Sequence, residues 1–177
     1  MNQLGKVFLS HKSEDKDFVR YVAEKIGIDR CHYDEYTFED GMNTLDEIMS
    51  ALDSTDLFIL FISDKALDSK WVKRERVRAK KLLDQGKIKQ IYPIIIDSNP
   101  AITYADERIP SWMREQYVIR RITSPKIAVQ KIKARLVELT WEIAPNLKNQ
   151  QTYFFGRNSE IEAFEQRRAN LDKPEMV

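Results

Sequence analysis

The sequence predicts an α/β fold, a five-stranded parallel sheet with helices on both faces. Three observations point to it. Short apolar runs alternate with stretches of helical periodicity through five cycles, the pattern of strands joined by crossover helices. The run Leu57–Ile62 is apolar at every position, as a central strand covered on both sides must be. The intervening segments repeat apolar residues three and four apart, the spacing of one helix face.

Lys6-Val7-Phe8-Leu9-Ser10 reads as the first strand and runs into the polar turn His11-Lys12-Ser13-Glu14-Asp15. Phe18, Val19, Val22, Ala23 and Ile26 then follow helical spacing, with Gly27 as the stop. Cys31-His32-Tyr33 is a second strand, followed by the acidic, aromatic loop Asp34-Glu35-Tyr36-Thr37-Phe38-Glu39-Asp40-Gly41. Asn43 or Thr44 caps the next helix, whose Leu45, Ile48, Met49 and Leu52 form one stripe. Asp56 to Ile62 is the third strand. Ser63 to Leu67 leads into a helix opened by Asp68-Ser69-Lys70-Trp71 and running to about Gly86.

Ile91 to Asp97 is a fourth strand with Pro93 near its beginning, where a missing N–H is tolerable. A polar stretch from Ser98 to Pro110 and a short segment at Trp112-Met113 precede Gln116-Tyr117-Val118-Ile119, read as an edge strand. Pro125 opens a long helix with Ile132, Leu136, Leu139 and Ile143 on its buried side.

For five such strands the flavodoxin-like order 2-1-3-4-5 is the leading choice, and it places ligands at the carboxyl ends of strands one and three. That crevice is bounded by Ser10-His11-Lys12 after the first strand and by Ser63 with the Trp71–Glu75 helix after the third. At about 100° per residue, Trp71, Val72, Ala79, Leu82 and Leu83 share one arc of this helix, and Glu75 falls inside it. A carboxylate in an apolar stripe needs a partner or a job.

Composition narrows the function. The 177 residues suit one domain plus an appendage, with 42% hydrophobic and 32% charged residues as in a soluble globular protein. A net charge of +1 supplies no global attraction for nucleic acid or an anionic membrane. The single cysteine, Cys31, excludes an internal disulfide and no Cys/His cluster has metal-ligand spacing, so a reducing, cytoplasmic setting without a metal is expected. No signal-peptide pattern opens the sequence, and the longest apolar run, six residues, cannot span a bilayer. A receiver domain would need an acidic cluster after strand one, where Ser10-His11-Lys12 stand.

Taken together, Val7-Phe8-Leu9-Ser10-His11 with Asp15 and Phe18, the loop ending in Gly41, Leu60-Phe61-Ile62-Ser63, Ser69-Lys70-Trp71 with Glu75, and Pro93-Ile94-Ile95 resemble a Toll/interleukin receptor (TIR) domain, over roughly Leu4 to Ile143. The resemblance implies self-association through the loop of Tyr36, Thr37, Phe38, Glu39, Asp40, Gly41 and Met42. It also implies one of two classes, non-catalytic interaction modules or enzymes that cleave NAD+ at the nicotinamide–ribose bond. In the second class Glu75 matches the catalytic glutamate, and Ser10, His11, Lys12, Phe38 and Glu39 match nucleotide-holding positions. Val72 departs from the family pattern, where many relatives carry cysteine.

The chemistry supports that role, because cleavage develops oxocarbenium character that a fixed carboxylate stabilises. Lys12 suits a phosphate as a point charge, and Trp71, one turn before Glu75, is placed to wall the pocket. NAD+ is then a substrate and not a cofactor, and no G-x-G-x-x-G follows a strand.

After the polar linker 144–152, Tyr153-Phe154-Phe155-Gly156-Arg157 and a short amphipathic helix through Phe164 resemble the segment leading into a STAND-type signalling NTPase. No G-x-x-x-x-G-K-[ST] follows. The expected organisation is a TIR domain over 1–143, a linker over 144–152, and over 153–177 the start of a downstream module, as in an immune or antiphage sensor.

Plainer readings stand beside these. Glu75 as a structural residue pairs with Lys12 or Arg78, and Trp71 packs in the core. Lys73, Arg74, Arg76, Arg78, Lys80 and Lys81 form a solvated helix face rather than a nucleic-acid surface. A nucleoside or nucleotide N-glycosidase on the same fold is a third possibility.

Overall fold

Leu57–Ile62 forms strand β3 at the centre of the sheet, and none of its six side chains is more than 1% exposed. The structure is a computed structural model and describes residues 5–33 and 44–143. β1 (Val7–Ser10) pairs with β3 in parallel, from Val7 opposite Leu57 to Ser10 opposite Leu60. β2 (Cys31–His32) lies outside β1. β4 (Gln90–Ile95) flanks β3 on the other side, and β5 (Arg120–Arg121) pairs beyond it at Ile94 and Ile95. The order β2-β1-β3-β4-β5, parallel throughout, is the one the sequence predicts.

The pleat of β3 divides its six apolar residues between two cores. Phe58, Leu60 and Ile62 share one core with Phe8, with Ile48 and Leu52 of α2 (Thr44–Asp53), and with Val72, Ala79 and Leu82 of α4 (Lys70–Asp84). Phe8 stacks on Phe58 at 5.7 Å in that core. On the other face Phe18 of α1 (Lys16–Ile26) meets Phe61 edge-on at 5.8 Å. Burying side chains of this size contributes about 1.5–3 kcal/mol each. α1 stops at Gly27, whose φ of 119° disfavours a side chain and whose N–H caps Ala23 O at 2.9 Å.

Even-numbered residues of β4 send their N–H toward β3, as Gln90 does to Asp56 O and Ile96, just beyond the strand, does to Ile62 O. Pro93 therefore turns its nitrogen to the other side, where β5 pairs only from Ile94 onward. No ladder bond is lost.

Two segments depart from the sequence reading. Ser63 to Leu67 is a lead-in to one helix in that reading, but the structure makes a separate short helix, α3 (Asp64–Asp68). Ser63 caps α3 through Ala66 N and Ser69 caps α4 through Val72 N, so two caps six residues apart restart the chain. The expected edge strand at Gln116–Ile119 is also displaced. Pro110, held at φ −57°, precedes α5 (Ser111–Gln116), Val118 is 75% exposed, and the pairing falls on Arg120 and Arg121. Two adjacent arginines carry no strand signal.

α6 runs from Pro125 to Ile143 with proline at its first position, where the absent N–H costs nothing. The chain divides into two compact units, Met1–Leu136 and Val137–Val177. The crevice at the carboxyl ends of β1 and β3 lies in the first.

Candidate active site

β1 ends on Ser10, and β3 continues for two residues past Leu60, its partner in the register. The chain leaves β1 and β3 in opposite directions, because β2 and β4 lie on opposite sides of the pair. A crevice opens where such connections diverge. α4 presents its amino-terminal half there, and its inner stripe is Val72, Glu75, Arg76, Ala79 and Leu82, all buried.

Glu75 is 8% exposed and Ser10 1%. The Ser10 hydroxyl donates to Glu75 Oε2 at 2.5 Å. A hydroxyl bound to a carboxylate forms a short, charge-assisted bond, which offsets part of the cost of taking the carboxylate out of water. The result is a negative group held in a fixed place at the head of the sheet. Such a group can stabilise positive charge as it develops on a bound molecule.

His11 and Lys12 follow directly. His11 Nδ1 lies 2.9 Å from Leu9 O, and since a carbonyl only accepts, Nδ1 bears the proton. Its ring stands 6.3 Å from that of Tyr33, tilted by 50°. Lys12 is half-buried, with Nζ 3.9 Å from Glu14 Oε2.

Trp71 corrects the sequence reading. It is 40% exposed rather than part of the buried arc, and the Arg74 guanidinium lies over its ring at 5.6 Å. Trp71 lies at the edge of that arc, whereas Val72 in the same turn points to its middle and packs in the core. Arg76 corrects it in the opposite sense, since it is 8% exposed where a solvated basic face was expected. Arg78, a suggested partner for Glu75, instead binds both carboxylate oxygens of Asp53 at 2.6 and 2.9 Å. Phe38 and Glu39, and the expected assembly loop of Tyr36, Thr37, Asp40, Gly41 and Met42, lie outside the described residues.

A second polar cluster escaped the sequence reading. Ser63 donates to Asp15 Oδ2 at 2.6 Å while accepting the Ala66 N–H at 3.1 Å. Burial pushes the Asp15 carboxyl above its ordinary pKa against the opposing Ser63 bond and the charge of His11. Asp97, at the end of β4, moves the other way, lowered by the backbone N–H groups of Asp64 and Asn99 at 2.9 and 2.8 Å. Arg108 clamps Asp64, Asp68 and Asp106 at 3.0, 3.2 and 2.8 Å, and those carboxylates raise its pKa. Arg121 donates to the carbonyls of Asp97, Asn99 and Ile102, fixing the loop after β4. Ser63 offered one signal, as a serine between a strand and a helix. The arginine clamps offered none.

Cys31 is buried, and burial pushes its thiol up to about 12, which removes it as a nucleophile at neutral pH. Among the described residues no group of His, Cys, Asp and Glu is placed to hold a metal, and no helix is long and apolar enough to cross a membrane.

A family model described as TIR domain matches residues 7–121. A search of curated proteins gave no match. Among solved structures, the chain is similar to the Clostridium botulinum CMP N-glycosidase BcmB at 16% identity and a TM-score of 0.49, over 73% of this chain and 98% of that one. It is also similar to the TIR domains of the activated Roq1 resistosome that directly recognises the pathogen effector XopQ. That match has 20% identity and a TM-score of 0.49, over 77% of this chain and 78% of the other.

Proposed function

The chain belongs to the TIR domain family, whose model covers residues 7–121, and from that premise we propose that it is an NAD+ glycohydrolase activated by self-association. The observation that supports this reading is the buried Glu75 carboxylate at the head of the sheet, bonded to Ser10 at 2.5 Å. In the proposed reaction the bond between ribose C1′ and the nicotinamide nitrogen breaks heterolytically. The electron pair leaves with nicotinamide, which departs neutral and needs no proton. Glu75 stabilises the oxocarbenium character left on the ribose. Attack by water then gives ADP-ribose and releases one proton, while attack by a nucleophile of the ADP-ribose itself gives a cyclic product.

Ser10 acts in this scheme as a positioning residue that aims the carboxylate. Lys12 and His11 meet the pyrophosphate and ribose, Phe38 and Glu39 close on the nucleotide, and Trp71 walls the nicotinamide end. The loop from Tyr36 to Met42 brings copies together. NAD+ enters as substrate, and the setting is signalling in immune or antiphage defence.

The test is nicotinamide release from NAD+ by the full chain, with copies clustered on a scaffold. Glu75→Gln is expected to lower the rate about 10²- to 10³-fold, the usual effect of removing one group that stabilises a transition state. Equal turnover by wild type and Glu75→Gln would remove Glu75 from the mechanism.

One observation favours a second reading, a non-catalytic TIR interaction module. The Ser10 bond already satisfies Glu75 as a structural residue. In that case the clustered wild type releases no nicotinamide, and assembly survives Glu75→Gln. A nucleotide N-glycosidase would instead turn over nucleosides or nucleoside monophosphates in preference to NAD+.

A further inference from the structure

Glu75 can serve the crevice only if the half of α4 that carries it stays in place, and the helix ends there are weakly fixed by their own sequence. The opening residues of α4 include Lys70, Lys73 and Arg74, and its first turn has no acidic residue, against the helix dipole. Its Ser69 cap is a long bond of 3.4 Å. α3, which leads into it, has five residues, too few for a helix to hold by itself in water. Arg108, in the loop after β4, grips both helices. Its guanidinium binds Asp64 at 3.0 Å and Asp68 at 3.2 Å, the first and last residues of α3. Its carbonyl accepts Arg76 Nη1 at 3.2 Å, and Arg76 is the buried neighbour of Glu75 on α4. Asp106 aims the guanidinium, accepting Arg108 Nε and Nη2 at 3.0 and 2.8 Å and the Arg108 N–H at 3.0 Å. Ile109 and Met113, both wholly buried, root the same stretch in the core that holds Val72 and Ala79.

We infer that Arg108 is a positioning residue for Glu75. Through Asp64 and Asp68 on α3 and through Arg76 on α4, it sets where the second turn of α4 stands and therefore where the carboxylate lies against Ser10 and the crevice. Its kinetic consequence rests on the catalytic reading above, which it extends to a residue that acts through a helix rather than on the substrate. A carboxylate displaced by about 1 Å from the charge it stabilises loses on the order of 10²-fold in rate. The contacts that the same reading gives Lys12 and His11 with the nucleotide do not depend on α4. Loss of Arg108 therefore falls on kcat and spares KM.

Two measurements on the full chain test it, with circular dichroism as the check on folding. The first is nicotinamide release from NAD+ by clustered copies of wild type, Arg108→Ala, Arg76→Met and the pair together. Each single variant is expected to lower kcat roughly 10- to 100-fold with KM nearly unchanged, and the pair to lose no more than the worse single, because both break one tie. The second needs no activity. The coupling between Ser10 and Glu75, from urea denaturation of Ser10→Ala, Glu75→Gln and their double variant, is expected to fall to roughly half or less when Arg108→Ala is added to every member of the cycle. Coupling that keeps its wild-type value overturns the inference whatever the rate does, since the carboxylate has then not moved. Unchanged kcat in an active chain overturns it as well, and so does a raised KM at constant kcat, which would make the loop a substrate contact. Should Arg108→Ala fail to fold, Arg76→Met keeps the side-chain volume and carries both measurements. A clustered wild type that releases no nicotinamide removes the catalytic reading, and the Ser10–Glu75 coupling alone then decides whether Arg108 positions the carboxylate.

Discussion

Ser10 donates its hydroxyl hydrogen to Glu75 at 2.5 Å, joining the last residue of β1 to the second turn of α4 across 65 positions of sequence. Both side chains are buried, so each sets the cost of losing the other. Removing the hydroxyl leaves a buried carboxylate without that donor, whereas removing the charge leaves a hydroxyl that still has an amide oxygen to meet.

Ser10→Ala is therefore expected to cost about 1–3 kcal/mol of stability in urea denaturation, and Glu75→Gln no more than about 1 kcal/mol. The double variant should cost less than the sum of the two, since each substitution removes one end of the same bond. Strict additivity would mean that the bond contributes nothing to folding.

Asp15 and Asp97 should give opposite pH dependences. The Asp15 carboxyl is raised from its ordinary value of 3.8 by burial, so its contribution is complete below 3.8 and is lost as pH rises through the folded value. Asp97 is lowered from the same value by two backbone N–H groups, so its contribution is present above 3.8 and is lost as pH falls through the folded value. Urea melts between pH 3 and 7 should show Asp15→Asn gaining on wild type as pH rises above 3.8. The deficit of Asp97→Asn, about 0.5–1 kcal/mol at neutral pH for a weakened helix cap, should shrink as pH falls below it. Parallel slopes for the two variants would contradict these assignments.

The two serine caps should differ in weight. Ser63 serves both the α3 N-terminus and Asp15, whereas Ser69 serves α4 alone through a longer bond of 3.4 Å. Ser63→Ala is expected to cost about 1–2 kcal/mol and Ser69→Ala about 0.5 kcal/mol by thermal denaturation. Ser63→Ala combined with Asp15→Asn should cost less than the sum, because each removes one end of a single bond.

The sheet order and the burial of Glu75 were legible in the sequence because both follow from periodicity. Two-sided apolar runs mark parallel strands, and a carboxylate at helical spacing from Val72, Ala79 and Leu82 must face the same way as they do. Trp71 was misplaced because it falls at the edge of the arc, about 80° from the buried Ala79 at 100° per residue, where a helix face turns from core to solvent. β5 was misplaced because it is two arginines long and is positioned by pairing with Ile94 and Ile95 rather than by its own residues. The Asp15–Ser63 bond and the Arg108 clamp join residues far apart in sequence through polar side chains, which have no periodicity to read.

Arg76 is the group whose burial the sequence hid most completely, and it yields a separable pair of variants. Its Nη1 donates to Arg108 O at 3.2 Å, its Nε meets no hydrogen-bond acceptor, and burial lowers its pKa. A buried cation satisfied this incompletely adds little to stability, so most of what Arg76 supplies is the packing of its hydrocarbon stem. Arg76→Met keeps that volume and is expected to stay within about 1 kcal/mol of wild type, whereas Arg76→Ala opens a cavity and should cost about 2 kcal/mol or more. The lost polar contact should appear elsewhere. In Arg76→Met, amide hydrogen exchange around residues 103–109 should accelerate, because the Arg108 carbonyl no longer ties that loop to α4. Unchanged exchange there, or a methionine variant as unstable as the alanine one, would show that the guanidinium and not its stem is what the fold uses.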